Sequence, residues 1–146
     1  IIAAENIDFK GNADGNIIVT PHLMEMSRLT GESVADIKKD LVQCAKKFAK
    51  EHQCICVLKD ARTVVTDGMD VYINSTGNDG MSTGGSGDVL TGLMAGFTAM
   101  GIDAFEAACL AVYVHGKAGD IAALKRGKAG MTASDIANAA ADALKR

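Results

Sequence analysis

The sequence predicts an α/β domain in which a small mixed sheet is followed by helices alone. Three observations carry that prediction. Short β-branched runs are separated by an amphipathic stretch in the first half of the chain. An Asp67-Gly68 pair lies between two such runs as a hairpin signal. A glycine-rich segment then leads directly into sequence with only helical character. A length of 146 residues fits one domain, expected to span 1–146, and 48% hydrophobic against 23% charged residues gives enough apolar material for a core. With no Trp, two Tyr and four Phe, that core has to be built from Ala, Val, Ile, Leu and Met.

Ile17 to Val19 is the first strand, ending at Thr20-Pro21, where Thr20 is expected to cap a brief helix with Pro21 in its first turn. Gly31 stops that helix. Ser33, with Asp36 three residues on, opens a stronger one. Along it Val34, Ile37, Leu41, Ala45 and Phe48 recur at three- and four-residue steps, and the lysines take the other face. Cys54 to Leu58 reads as a buried strand, and Thr63–Thr66 with Val71–Ile73 as the hairpin. Helices are expected over Val89–Met100, from Ala104 to about Lys125 behind Asp103 and Glu106, and over Ala133–Lys145 with a stripe of Ile136, Ala140 and Leu144.

Composition excludes several classes of function. A net charge of −3 and few aromatics give neither the basic footprint nor the stacking platform of a nucleic-acid binder. Val89 to Ile102 is too short to span a bilayer, so no membrane partner is expected. Cys44, Cys54, Cys56 and Cys109 form no CxxC pair and read as reduced thiols of a cytoplasmic protein. His22, His52 and His115 lack zinc-ligand spacing. The chain opens on Ile1-Ile2 with no Met, as a piece of something longer is expected to do.

Five of the sixteen glycines fall between Gly77 and Gly87. Backbone amides in such a run, at a helix N-terminus, make a phosphate cradle. Asp88 at its mouth repels an anion unless a cation or a proton transfer accompanies it, and phosphoryl transfer needs both a cradle and a base. The plainer reading is a surface loop with Asp88 as helix N-cap. A Walker A loop is excluded because Asp88 follows Gly87, and the dinucleotide fingerprint fails at Leu90.

Gly84-Gly85-Ser86-Gly87-Asp88 resembles the Gly-x-Gly-Asp turn of ribokinase-like kinases. The run from Gly77 to Gly96 is similar to one branch of these, the nucleotide-dependent NAD(P)H-hydrate dehydratases of the carbohydrate kinase family. Thr20-Pro21-His22-Leu23-Met24-Glu25 resembles that branch's Thr-Pro-His-x-x-Glu motif, and Lys59-Asp60-Ala61-Arg62-Thr63 its Lys-x-x-x-Thr segment. Ala111 to Gly116 with Ala118-Gly119-Asp120, then Met131 to Ile136, resemble its closing helices. Asp79, Ser82, Leu23-Met24 and Asp60 depart from its usual Pro, Ala, Pro-Gly and Gly.

The resemblance implies a ribokinase-like three-layer α/β/α sandwich seen in part, the C-terminal half of the family's domain. It implies nucleotide-dependent dehydration of hydrated NADH or NADPH, with ADP or ATP and Mg2+. Asp88 is the implied catalytic base beside the substrate hydroxyl, and Gly84, Gly85, Ser86 and Gly87 bind the transferring phosphate. His22 faces the hydrated substrate. Lys59, Asp60, Ala61, Arg62 and Thr63 bind the nucleotide, and Glu25 holds the metal through water or acts only as a first-turn acid. His115 and Asp120, mid-helix, are read as packing or as capping a neighbour. Homo-oligomers, or pairing with the missing N-terminal half, are the implied assemblies. A small-molecule kinase acting on a sugar or vitamin precursor, and an inactive nucleotide-binding fragment, stand as alternatives.

Overall fold

Strands β1 (Ile18–Val19) and β2 (Ile55–Leu58) run parallel, with Ile18 opposite Ile55 and Val19 opposite Cys56. The computed structural model describes residues 17–145, which divide into two compact units between Ile73 and Asn74; the Ile1-Ile2 opening lies outside the described residues. In the first unit the parallel pair needs a crossover, and helices α1 (Leu23–Thr30), α2 (Val34–Ile37) and α3 (Leu41–His52) supply it. β2 then pairs antiparallel with β3 (Val64–Thr66), which forms the expected hairpin with β4 (Val71–Ile73). Asp67 Oδ1 accepts the Met69 and Asp70 amides in the turn, which is why an Asp opens it. β2 and β3 are buried along their length, whereas Val71 and Ile73 of β4 are exposed.

The α1 cap falls two residues later than the Thr20-Pro21 signal predicts. His22 is the N-cap: its Nδ1 accepts the Glu25 amide at 3.2 Å, and Glu25 Oε2 accepts the His22 amide at 2.8 Å. An imidazole acceptor there does what a Ser or Thr hydroxyl does elsewhere. Gly31 ends α1 as expected. The single helix predicted from Ser33 is two helices. Ser33 caps α2, but Lys38 closes it, and Asp40 caps α3 by accepting the Gln43 amide at 3.0 Å. The apolar spacing survives the break because Ile37, Ala45 and Phe48 still face one core, with Met26, Cys56 and Leu58. Burying a side chain the size of Phe48 contributes about 1.5–3 kcal/mol. Burial also pushes the Cys54 thiol up to about 11 and Cys56 well above its ordinary range.

The second unit is helical. α4 (Ser86–Ala99), α5 (Ala104–Arg126) and α6 (Ala133–Ala143) are joined by short connections, and α5 packs against both of the others. α5 carries buried Ala107, Ala108, Ala111, Val114, Ala118 and Ala122, small residues that admit close neighbours on more than one side. Asp103 caps it, accepting the Phe105 amide at 2.9 Å. Along α6 the buried face is Ile136, Ala139 and Ala143; Leu144, assigned to that stripe from sequence, is 52% exposed because the helix ends at Ala143. Among the described residues no helix is long and apolar enough to cross a membrane.

Candidate functional site

The candidate residues fall into two groups, one in each unit. In the first unit they gather where β1 and β2 end. His22 follows β1 and Lys59 follows β2, and the two pair in a parallel bridge, with the Lys59 amide donating to Pro21 O at 2.8 Å. In open α/β sheets ligands bind outside the carboxyl ends of the strands, and these residues occupy that edge.

Glu25 links the group. Its Oε1 lies 3.4 Å from His22 Nε2 and its Oε2 4.0 Å from Lys59 Nζ. Because His22 Nδ1 accepts an amide proton, the neutral ring carries its own proton on Nε2, toward the Glu25 carboxylate. Asp60, Ala61 and Arg62 form an exposed turn after Lys59, and Thr63 Oγ1 donates to Asp60 O at 3.4 Å.

In the second unit the glycine segment is an ordered structure with a defined entry into α4. Asn78 caps a 3₁₀ turn over Asp79–Met81, accepting the Gly80 amide at 3.1 Å. Gly85, at φ +87, is the N-cap of α4, a left-handed conformation that a side chain would strain. Ser86 is therefore the first helical residue, and the helix begins three residues before the predicted Val89. Asp88 is not the N-cap. It is the third helical residue, exposed in the first turn, where the helix dipole favours a carboxylate. The plainer alternative of Asp88 as a cap is thereby overturned: Gly85 O, not an Asp88 side chain, meets the first amides, accepting from Asp88 and Val89 at 3.1 Å each. The amides of Gly84, Gly85 and Gly87 make no hydrogen bond among the described residues, so donors stand open on both sides of Ser86.

The loop is built onto α5. Thr76 Oγ1 lies 3.0 Å from Tyr113 O and 3.0 Å from Asn74 Oδ1. Asp120 accepts the Gly77 amide at 3.0 Å and the Asn78 side-chain amide at 2.9 Å. Gly116 lets Thr76 approach, since a Cβ there would lie 2.7 Å from the Thr76 carbonyl carbon and closer still to its hydroxyl. Met81 packs against Gly119 in the same way. At the far end Ser86 Oγ lies 3.3 Å from His115 Nε2. Asp120, expected from sequence to pack or to cap a neighbour, holds Gly77 and Asn78 rather than a helix end, and Asn78 is the cap of the 3₁₀ turn. The Ser86 contact of His115 had no signal beyond its neighbourhood to Gly116. Lys128 pairs with Asp79 at 2.5 Å and holds that carboxyl below its ordinary range.

A family model for NAD(P)H-hydrate dehydratases matches residues 2–141. The chain belongs to the NAD(P)H-hydrate dehydratase family. The chain is 50% identical to a bifunctional NAD(P)H-hydrate repair enzyme of Moorella thermoacetica over 124 residues, which are 84% of this chain and 23% of that protein. It is 39% identical to the ADP-dependent (S)-NAD(P)H-hydrate dehydratase of Neisseria meningitidis over 86% of this chain and 43% of that protein. Among solved structures, the ADP/ATP-dependent NAD(P)H-hydrate dehydratase of Bacillus subtilis, co-crystallized with ATP/Mg2+, superposes with a TM-score of 0.82 at 31% identity, over 86% of this chain and 46% of that one. A ribokinase-like superfamily protein of Enterococcus faecalis gives 0.77 at 29% identity, over 91% and 45%. The family fold is ribokinase-like, as expected. The chain spans about a quarter of the bifunctional relative and under half of the others.

Proposed function

We propose that this chain takes part in the nucleotide-dependent dehydration of hydrated NADH and NADPH. One observation carries the reading: Asp88 stands in the first turn of α4 directly after Gly84, Gly85 and Gly87, whose amides are open, in a member of this family. Asp88 accepts the proton of the substrate hydroxyl. The oxygen then forms a bond to the terminal phosphorus of ADP or ATP, and the bond from that phosphorus to its bridging oxygen breaks. The amides of Gly84, Gly85 and Gly87 bind the phosphoryl oxygens as their charge grows. Ser86, expected among them from the sequence, donates its amide to Thr83 O and turns its hydroxyl to His115. The carbon–oxygen bond breaks next, releasing phosphate as the ring nitrogen donates electrons. Loss of a neighbouring ring proton restores the nicotinamide double bond.

His22 stands beside the hydrated ring with the exposed side of its imidazole, both ring nitrogens being turned to Glu25. Lys59 supplies positive charge to the nucleotide phosphates, with Asp60, Ala61, Arg62 and Thr63 along the nucleotide. The nucleotide with Mg2+ supplies the electrophilic phosphorus. Mg2+ is typically held by one or two carboxylates with phosphate and water. Glu25 fits such a role, because among the described residues its Oε1 is met by His22 Nε2 alone, at 3.4 Å. The hydrate and an adenine nucleotide are then the small-molecule partners, self-association is expected, and the compartment is the cytoplasm.

The test is turnover of hydrated NADH by the protein as its gene encodes it, with ADP or ATP. Recovery of the reduced-cofactor absorbance with release of one phosphate supports the reading, and Asp88→Asn should abolish it. Build-up of a phosphorylated product without that recovery would instead establish a small-molecule kinase. Nucleotide binding with no turnover would leave a binding segment only.

A further inference from the structure

We propose that His115 is a positioning residue for the glycine turn, acting through the Ser86 hydroxyl. The inference rests on the dehydratase reading of that turn and adds a residue to it. Ser86 is only 8% exposed, although Gly84, Gly85, Gly87 and Asp88 around it are all exposed. Its side chain is therefore turned away from solvent, and His115 Nε2 lies 3.3 Å from its Oγ. The bond fixes the rotamer of the first residue of α4 and ties that residue, which lies between the open amides of Gly85 and Gly87, to α5.

The other end of the loop is fixed to the same helix. Tyr113 O meets the Thr76 hydroxyl, and Asp120 accepts from Gly77 and Asn78. The segment from Thr76 to Ser86 is thereby attached to α5 at both ends. Donors that meet a growing charge act most strongly when already in place, and such placement depends on the hydrogen bonds behind them. His115 supplies one of those bonds without touching the phosphate.

A space-filling role for His115 predicts something different. His115→Leu keeps most of the volume and loses the polar contact, while His115→Gln places an amide near the Nε2 position. In the protein as its gene encodes it, His115→Leu should lower kcat for hydrate turnover about tenfold or more, the usual size for removing an outer partner. The melting temperature should stay within a few degrees. His115→Gln should return kcat to within about threefold, as polar contact alone requires. Ser86→Ala should reproduce the Leu loss, and the double variant should be no worse than the worse single one.

Losses that multiply in the double variant, or a Gln variant no better than Leu, overturn the inference. If His115→Leu does not fold, Ser86→Ala against His115→Gln decides: equal kcat values overturn it. If the wild-type protein turns over no hydrate, the proposed function fails, and calorimetric ADP affinity then decides the positioning role separately. A weaker affinity in His115→Leu that His115→Gln restores supports it, and equal affinities overturn it.

Discussion

Asp120 holds Gly77 from forty-three residues away, one carboxylate oxygen accepting the Gly77 amide at 3.0 Å. The other oxygen accepts the Asn78 side-chain amide at 2.9 Å, and Asn78 in turn caps the 3₁₀ turn through the Gly80 amide. Two donors therefore converge on one carboxylate. Asp120→Asn replaces one acceptor oxygen with a donor, so one of the two bonds must be lost and a donor faces a donor. The expected cost is about 1–2 kcal/mol, read from urea unfolding. An unchanged midpoint would show that the loop does not depend on this carboxylate.

Glycines on α5 and α4 should respond to alanine with opposite signs. A Cβ on Gly116 meets the Thr76 backbone carbon at 2.7 Å, and backbone cannot swing aside. Gly116→Ala is expected to cost about 1–3 kcal/mol or more by overpacking. Gly92, inside α4, has nothing within 4 Å of the added atom. Gly92→Ala is expected to stabilise by about 0.5–1 kcal/mol through helix propensity. Thermal melts of both variants check the pair, and a stabilised Gly116→Ala would contradict the close approach.

What could be read from sequence was local. β1, β2 and the hairpin follow from β-branched runs and the Asp67-Gly68 turn, and Asp103 marks the start of α5 without any need for its neighbours. The errors were local competitions with near-equal candidates. His22 outdid Thr20 as a cap because the Glu25 carboxylate could answer it, and Asp40 divided a helix whose apolar spacing continued through the break. Gly85 took the cap position that Asp88 could have filled, since its positive φ turns the chain into the helix. The Ser86–His115 and Gly77–Asp120 contacts were of another kind. They depend on which face of α5 receives the loop, and only packing decides that.

Glu25 carries two roles that one pair of substitutions can separate. Its carboxylate closes the capping box of α1, and its charge lies beside His22 and Lys59. Glu25→Gln retains an oxygen to accept the His22 amide but turns its amide group toward the exposed His22 Nε2, so its loss of stability should be smaller than that of Glu25→Ala. Glu25→Ala removes the acceptor and should cost about 1 kcal/mol, as a lost cap does. If the charge also serves the nucleotide and its metal, Glu25→Gln will lower turnover despite its smaller loss of stability. Equal turnover in Glu25→Gln and wild type would confine Glu25 to capping.

Acid should weaken the α6 cap in a defined direction. Asp135 accepts from the Thr132 hydroxyl at 2.8 Å and the Thr132 amide at 3.0 Å, with Arg126 Nε at 3.1 Å. Those bonds to Thr132, and then Arg126, hold its carboxyl below the ordinary 3.8. A carboxyl lowered in the folded state adds stability above its unfolded value and loses it as pH falls through the folded one. Stability contributed by Asp135 is therefore complete above pH 3.8 and declines below it. Unfolding midpoints taken from pH 7 down to about 3 should fall less steeply below pH 4 in Asp135→Asn than in wild type, because the variant has no proton to gain there. Parallel curves would place the acid sensitivity elsewhere, with Asp36 beside Lys39 and Ser33, Asp79 beside Lys128 and Asp142 beside Lys145 and Lys125 as the other carboxyls held low in the same way.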